Sequence, residues 1–177
     1  MILSDKDIAA AIANGDIEIS HYKRSNLGCN SYDVHLGGEL KCYVDKILDA
    51  KKENPTYSIG IPNEGIVLMP GEVYLGYTVE SVGSKKYVPI IEGKSSIGRL
   101  GVKVHLTAGF GDVGFIGHWT LEIEVTKPIR IYKGMPIAQI AFHECGEVEV
   151  PYNFKVSAKY NNQPPEPIAS KNHENFF

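Results

Sequence analysis

Residues 92–122, EGKSSIGRLGVKVHLTAGFGDVGFIGHWTLE, decide how this chain is read. The stretch opens with Gly93-Lys94-Ser95-Ser96-Ile97-Gly98-Arg99, a glycine-bounded segment holding two hydroxyls and two cations. A second irregular segment follows, Thr107-Ala108-Gly109-Phe110-Gly111-Asp112-Val113-Gly114-Phe115. Apolar runs over 102–106 and 120–125 separate and follow them. In Thr120-Leu121-Glu122-Ile123-Glu124-Val125 the period is two, which puts Leu121, Ile123 and Val125 on one face and Thr120, Glu122 and Glu124 on the other. Short alternating strands joined by Gly-rich turns predict a mainly β fold, a sandwich, jelly roll or barrel.

The same pattern extends in both directions. Strands are expected over 32–36, 39–44, 66–69, 73–79, 87–92, 129–132, 136–142 and 147–150, with Gly or Pro at nearly every junction. The polar run 48–55 reads as a surface loop or hairpin tip. One helix is expected, over 5–14. Ser4 and Asp7 form a capping-box variant, Ile8 and Ile12 share a face, and Gly15 suits the position after the helix. The last 25 or so residues change character: 159–167, KYNNQPPEP, is polar and Pro-rich, as in a tail that is disordered or ordered by docking.

Composition sets the outer limits. With 177 residues the chain fits one domain spanning 1–177. Hydrophobic residues make up 43% and charged residues 22%, as in a soluble globular protein, and the net charge of −3 argues against DNA, RNA or membrane-surface binding. Cys29, Cys42 and Cys145 are odd in number and form no C-x-x-C pair, which fits a reducing compartment. No apolar run reaches the ~20 residues of a membrane span. The start, MILSDKDIAAAI, reads as lacking a secretory leader, so a cytoplasmic protein is expected.

Three groups of residues carry candidate chemistry, each with two readings. Glu122 is either a half-solvated strand carboxylate or a general base facing a cleft, whose burial would raise its pKa toward neutrality. The Lys94–Arg99 segment suits an oxyanion or phosphate, yet it is also a plausible polar turn around a short helix; it is not a Walker A loop. The glycines of 107–115 let backbone approach a flat ligand walled by Phe110 and Phe115, with Asp112 as the acid there; they equally suit a plain hairpin. The six histidines form no H-E-x-x-H and no H-x-E paired with P-C-x-x-C, so the zinc-deaminase signature is missing, and each is expected to be structural or exposed. No G-x-S-x-G elbow supports a serine nucleophile.

These residues, taken together, resemble the dCTP deaminase family of the trimeric dUTPase-like superfamily. The likeness rests on residues 92–101 (EGKSSIGRLG), on Thr107-Ala108-Gly109-Phe110 with Asp112, Gly114 and Phe115, and on Leu121-Glu122. Ser31-Tyr32-Asp33-Val34-His35-Leu36-Gly37 is similar to the family's S-x-D-L-R-L-G, and Pro70-Gly71-Glu72, Gly134-Met135, Gln139, Pro151-Tyr152-Asn153, Lys159 and Gln163 continue the match. The resemblance implies a distorted β-barrel or jelly roll with a short N-terminal helix and a C-terminal tail, mobile from about residue 153, that closes over nucleotide.

It also implies roles. Glu122 would take a proton from the water that attacks C4 of cytosine, with no metal activating that water and no zinc. Ser95 and Arg99 would polarise the water and the Glu122 region, and the Ala108 backbone would position the water. Thr120, Leu121 and Glu122 would read the base, and Asp112 would hold the sugar 3′-hydroxyl. Lys94, Ser95, Ser96, Tyr152, Lys159 and Gln163 would bind the triphosphate with its Mg²⁺, which protein side chains would not ligate, and Ile97, Gly98 and Arg99 would complete that part of the substrate-binding set. Gln139 joins the substrate-binding set and, with Gly109-Phe110, resembles the branch that carries dCTP through dUTP to dUMP for thymidylate synthesis. A homotrimer with sites at subunit interfaces, and inhibition by dTTP, are further implications. The alternatives are a dUTP pyrophosphatase without deaminase activity and a non-catalytic nucleotide-binding regulator. Departures from the family pattern are Lys94 for the commoner Arg, Gly111 for a bulky aliphatic residue, Tyr32 for a small one, and Lys171 for Arg.

Overall fold

The computed structural model describes residues 1–176. The predicted helix is α1 (Asp5–Ala13), and its capping box is complete: the Ser4 hydroxyl accepts from the Asp7 N–H, and the Asp7 carboxylate accepts from the Ser4 N–H at 3.1 Å. Gly15 follows with φ of 76°, a conformation that needs glycine. Ile8 and Ala11 bury this helix against the sheets.

Strands follow in order: β1 (Ile17–Ile19), β2 (Tyr32–His35), β3 (Glu39–Tyr43), β4 (Thr56–Gly60), β5 (Ile66–Leu68), β6 (Tyr74–Ser84) and β7 (Val88–Gly93). After β7 comes one helical turn, α2 (Ser95–Gly98), then β8 (Val102–Lys103), β9 (Ile116–Val125), β10 (Ile129–Ile131) and β11 (Pro136–His143). The larger sheet runs β4-β3-β6-β9-β8 with β1 also on β6; a second runs β2-β11-β7; β10 and β5 form a two-stranded ribbon. All pairings are antiparallel. One apolar cluster joins the two larger sheets, drawing Leu40, Leu121 and Ile123 from the first and Val34, Ile91, Ile140 and Phe142 from the second. Each such side chain contributes roughly 1.5–3 kcal/mol by leaving water. This is the mainly β architecture with a short N-terminal helix that the sequence predicts.

The departures have physical causes. Strand β4 was not expected, because its residues lie on a solvent-facing edge and show no apolar alternation. The strand expected over 147–150 does not form; Val148 and Val150 are exposed and no neighbouring edge takes up the alternating pattern. Strand β6 runs to Ser84, past the charged Glu80 that ended the sequence pattern. Its register shifts between Tyr77 and Ser81, which turns Glu80 inward. There the Glu80 carboxylate accepts from the His35 N–H at 2.9 Å and lies 2.6 Å from His35 Nδ1. The Thr78 hydroxyl in the same irregular stretch donates to the Glu80 carbonyl and accepts from the Trp119 N–H at 2.9 Å, so the distortion is tied to β9. Strand β8 stops at Lys103 because the chain then leaves the sheet toward the candidate site.

Candidate active site

Strand β9 presents the central residue. Its burial alternates along the whole length: Leu121, Ile123 and Val125 enter the core, while Thr120, Glu122 and Glu124 lie on the opposite face. That face borders a cavity of about 400 Å³. Glu122, Thr120, Ala108, Phe110, Asp112 and Phe115 line it, with Tyr152, Tyr160 and Gln163 from the tail. The irregular segment 107–115 is therefore a cavity wall rather than a hairpin; it joins β7 through a bridge between Ile90 and Phe110.

Glu122 Oε2 accepts a hydrogen bond from the Leu106 N–H at 3.1 Å. This fixes the carboxylate against the chain that leaves β8. The side chain is 33% exposed, so this chain alone does not supply the burial expected around a general base. His105 lies beside it, with Nε2 4.0 Å from Glu122 Oε2 and only 11% of the side chain exposed. Both His105 ring nitrogens are buried and have no hydrogen-bond partner among the described residues. Sequence reading treated this histidine as structural or exposed; the signal that could have found it is its place two residues before Thr107, where the 102–106 pattern turns from strand into cavity wall.

The apolar wall depends on one glycine. A Cβ on Gly111 would lie 2.5 Å from Trp119 Cη2 and 3.0 Å from Pro89 Cγ, so the indole occupies the space a side chain would need. The missing bulk at 111 is thus filled from β9 rather than left as a looser pocket. Trp119 Nε1 donates to the Val82 carbonyl at 3.0 Å, and the ring meets Phe115 edge-on with centroids 5.2 Å apart. Phe115 in turn meets Tyr152 at 6.1 Å. Trp119 is a lining residue the sequence did not single out.

The tail is docked across this cavity. Tyr152 N–H donates to the Val113 carbonyl at 2.8 Å, beneath which Gly114 adopts φ of 93°. The Tyr152 hydroxyl accepts from the Tyr160 N–H at 3.0 Å. His118 N–H donates to the Gln163 carbonyl at 3.1 Å. The Thr120 hydroxyl donates to Gln163 Oε1 at 2.9 Å and accepts from the Ile168 N–H at 3.0 Å. Gln163 therefore sits beside Thr120, two residues from Glu122, rather than apart with the phosphate candidates. Lys159 Nζ is bonded to the Asn175 side chain, and Lys171 Nζ donates to the Lys159 carbonyl at 2.9 Å.

The remaining predicted residues lie elsewhere. None of Lys94, Ser95, Ser96, Ile97, Gly98, Arg99, Leu121, Gln139 and Lys159 lines the cavity. Ser95, Ser96 and Arg99 are exposed on α2 and its C-cap. Ile97 and Leu121 bury their side chains in the core, at 8% and 0% exposure, leaving only their backbones for a ligand. Lys94 is ion-paired with Asp33. Gln139 accepts from the Ser31 hydroxyl at 2.8 Å and donates to the Gly93 carbonyl at 3.1 Å. Among the described residues no group of three or more His, Cys, Asp or Glu is placed to hold a metal ion. No helix among them is long and apolar enough to cross a membrane.

Residues 2–145 match the family model described as dCTP deaminase-like. The chain belongs to that family. The match covers both sheets, α2 and the wall segment, but ends before the tail. Over 162 residues the chain is 50% identical to a protein of Clostridium acetobutylicum named "dCTP deaminase, dUMP-forming", covering 92% of this chain and 91% of that one. A protein of the same name from Hathewaya histolytica is 48% identical over 162 residues, covering 92% of each. Among solved structures, the chain resembles the crystal structure of 2′-deoxycytidine 5′-triphosphate deaminase from Agrobacterium tumefaciens, with a TM-score of 0.64 and 23% identity. That likeness covers 81% of this chain and about half, 48%, of the other, and bears on fold.

Proposed function

We propose that this member of the dCTP deaminase-like family hydrolyses dCTP to dUTP and ammonia, then carries dUTP to dUMP and diphosphate in the same site. The observation that carries the reading is a carboxylate, Glu122, fixed at the wall of a cavity whose other walls suit a deoxynucleoside. Relatives at 47–50% identity named as dUMP-forming support the second step.

In this reading Glu122 takes a proton from water and passes it to N3 as the oxygen adds to C4 of cytosine. Glu122 then moves the second proton from the new C4 hydroxyl to the exocyclic nitrogen, the C4–N bond breaks, and ammonia leaves a uracil carbonyl at C4. The Ala108 backbone lines the space where the water would be held. Thr120 and Gln163, already joined, face the base, and Asp112 takes the 3′-hydroxyl. Phe110, Phe115 and Trp119 cover the flat apolar surfaces. For dUMP formation a second water attacks the α-phosphorus and diphosphate departs. Mg²⁺ would come with the triphosphate as part of the substrate and offset its charge; no side chain of this chain is assigned to it.

Ser95 and Arg99 do not reach this cavity within one chain. We assign them to the site of a neighbouring copy in a homotrimer, the arrangement the exposure of α2 favours. Leu100, Leu106 and Phe110 are exposed at 58%, 41% and 65%, giving that interface apolar surface. The neighbour would also supply the burial Glu122 lacks. The tail would open for nucleotide entry and take up the observed docking on closure, which excludes bulk water. A cytoplasmic location and inhibition by dTTP belong to the same proposal.

Incubation with dCTP and Mg²⁺, following ammonia, dUTP, dUMP and diphosphate, tests the reading. Ammonia and dUMP in equal amounts with little free dUTP are expected. Absence of ammonia release overturns it, and diphosphate from dUTP without turnover of dCTP reduces the activity to dUTP hydrolysis.

A further inference from the structure

Strand β3 and the loop after it take no part in the proposed chemistry, yet they hold the outer half of the tail. Lys41 Nζ lies 3.0 Å from Glu166 Oε2, with the two side chains 20% and 50% exposed. The Tyr43 hydroxyl accepts from the Ser170 N–H at 3.1 Å. The Ala50 carbonyl accepts from the Asn172 side-chain amide at 2.8 Å, and the Lys51 ammonium stands 5.4 Å from the Phe176 ring centroid. The tail thus meets the β3–β4 hairpin in order, from Glu166 at the strand to Phe176 at the loop. That loop is already set: the Asn54 amide donates to the Asp49 and Lys52 carbonyls at 3.0 and 3.1 Å and accepts from the Asp49 N–H at 2.9 Å. It therefore receives the tail without first having to be ordered.

Sheet register puts these contacts beside the cavity. Lys41 on β3 stands opposite Leu75 on β6, and Leu75 opposite Glu122 on β9. Burial alternates along β3, so Lys41 and Tyr43 share the open face while Leu40 and Cys42 enter the core. Tyr43, Leu75, Ile168 and Ser170 line the same cavity as Glu122. Adjacent strands lie about 4.8 Å apart, so a strap from Thr120 on β9 to Lys41 on β3 crosses about 10 Å. Pro164, Pro165 and Pro167 make that crossing, and their fixed φ limits the conformations the strap gains when released.

We propose that the β3–β4 hairpin is the clasp of the tail, with Lys41 and Tyr43 as positioning residues that keep it shut over the nucleotide. The proposal rests on the proposed nucleotide chemistry and adds to it the part that retains substrate. A ligand held by the closed form binds in proportion to the closed population, so weakening the clasp raises KM and leaves the bond-making steps alone. If Lys41 were instead a nucleotide ligand restrained by Glu166, neutralising Glu166 would tighten binding.

The test reverses charge across the clasp in the whole protein, with Lys41→Glu, Glu166→Lys and the pair assayed for dCTP turnover with Mg²⁺. Each single reversal sets like charges together and is expected to raise KM about fivefold with kcat changed less than threefold; the pair is expected to restore KM to within about twofold of the parent. Tyr43→Phe, which keeps the ring and removes the hydroxyl, is expected to raise KM about threefold, and it carries the test if a reversed variant misfolds. Amide hydrogen exchange separates a released tail from a loosened fold. Residues 166–172 should exchange faster in each single variant and slow again in the pair, while residues 116–125 keep the parent's protection. The proposal is overturned if the single variants keep the parent's KM and tail exchange, if the pair is no better than the worse single, or if Glu166→Gln lowers KM. Failure of the underlying reading looks different: the unmutated protein would release no ammonia, and exchange at 166–172 would still decide whether the clasp exists.

Discussion

The cavity wall and the α2 turn lie side by side in sequence, yet the fold treats them in opposite ways. Asp112, Phe115, Trp119, Thr120 and Glu122 line a cavity open on one side, which the tail partly covers, with Phe110 exposed at its rim. Ser95, Ser96 and Arg99 face solvent, on a turn braced from behind by Asp33 and Gln139. In the proposed reading the exposed turn and the one-third exposed base candidate are two surfaces that complete each other between copies. On that reading the stretch 92–122 holds parts of two different sites, one lining the chain's own cavity and one offered to a neighbour.

Several substitutions separate the halves. The largest effect is expected on the inward side. Glu122→Gln should reduce kcat for deamination by about 10²–10⁴-fold while nucleotide binding persists, measured by steady-state kinetics and equilibrium binding. Next comes the latch between wall and tail. Thr120→Val removes the hydroxyl that joins Gln163 and Ile168, and should raise KM about tenfold, in keeping with loss of one or two hydrogen bonds at a part-buried site. Gly111→Val should displace the indole of the chain's single tryptophan, shifting its emission and weakening nucleotide binding; Ser95→Ala should leave that emission unchanged.

The smallest effect lies far from both halves. Ser4→Ala should lower the melting temperature by about 2–4 °C, the scale of one lost cap in a chain this size. Hydrogen bonds from the Ser4 hydroxyl and N–H hold the Asp7 carboxyl below its ordinary pKa. A depressed carboxyl stabilises the fold above the ordinary carboxylate range, and that contribution is lost as pH falls through the folded value. The gap in melting temperature between Ser4→Ala and the parent should therefore narrow in acid, leaving the share owed to the Asp7 N–H bond to the Ser4 hydroxyl.

What the sequence made legible was local. Alternation alone placed Leu121 in the core and Glu122 on the open face, and Ser4 with Asp7 marked the helix start. Nonlocal features were hidden. Residues 147–150 alternate as a strand would, but a strand also needs a free edge beside it. Thr56–Gly60 lacks apolar alternation, yet pairs with β3. His105 and Trp119 owe their places to the break of β8 and to the side chain missing at Gly111, which no single-residue pattern encodes. The motif around Ser95 and Arg99 was visible, but nothing in its spacing told which copy of the chain it serves.

That division can be tested directly by mixing two damaged chains. Glu122→Gln has an intact α2 and a disabled cavity, whereas Arg99→Ala has the reverse. Each alone should be nearly inactive on dCTP. Co-refolded in equal amounts as a cyclic trimer, about a quarter of sites should pair a sound cavity with a neighbour's sound α2, restoring ammonia release to about a quarter of the undamaged rate. If the mixture is no more active than its components, although the chains are shown to exchange, then α2 does not serve a neighbouring site and the account is contradicted.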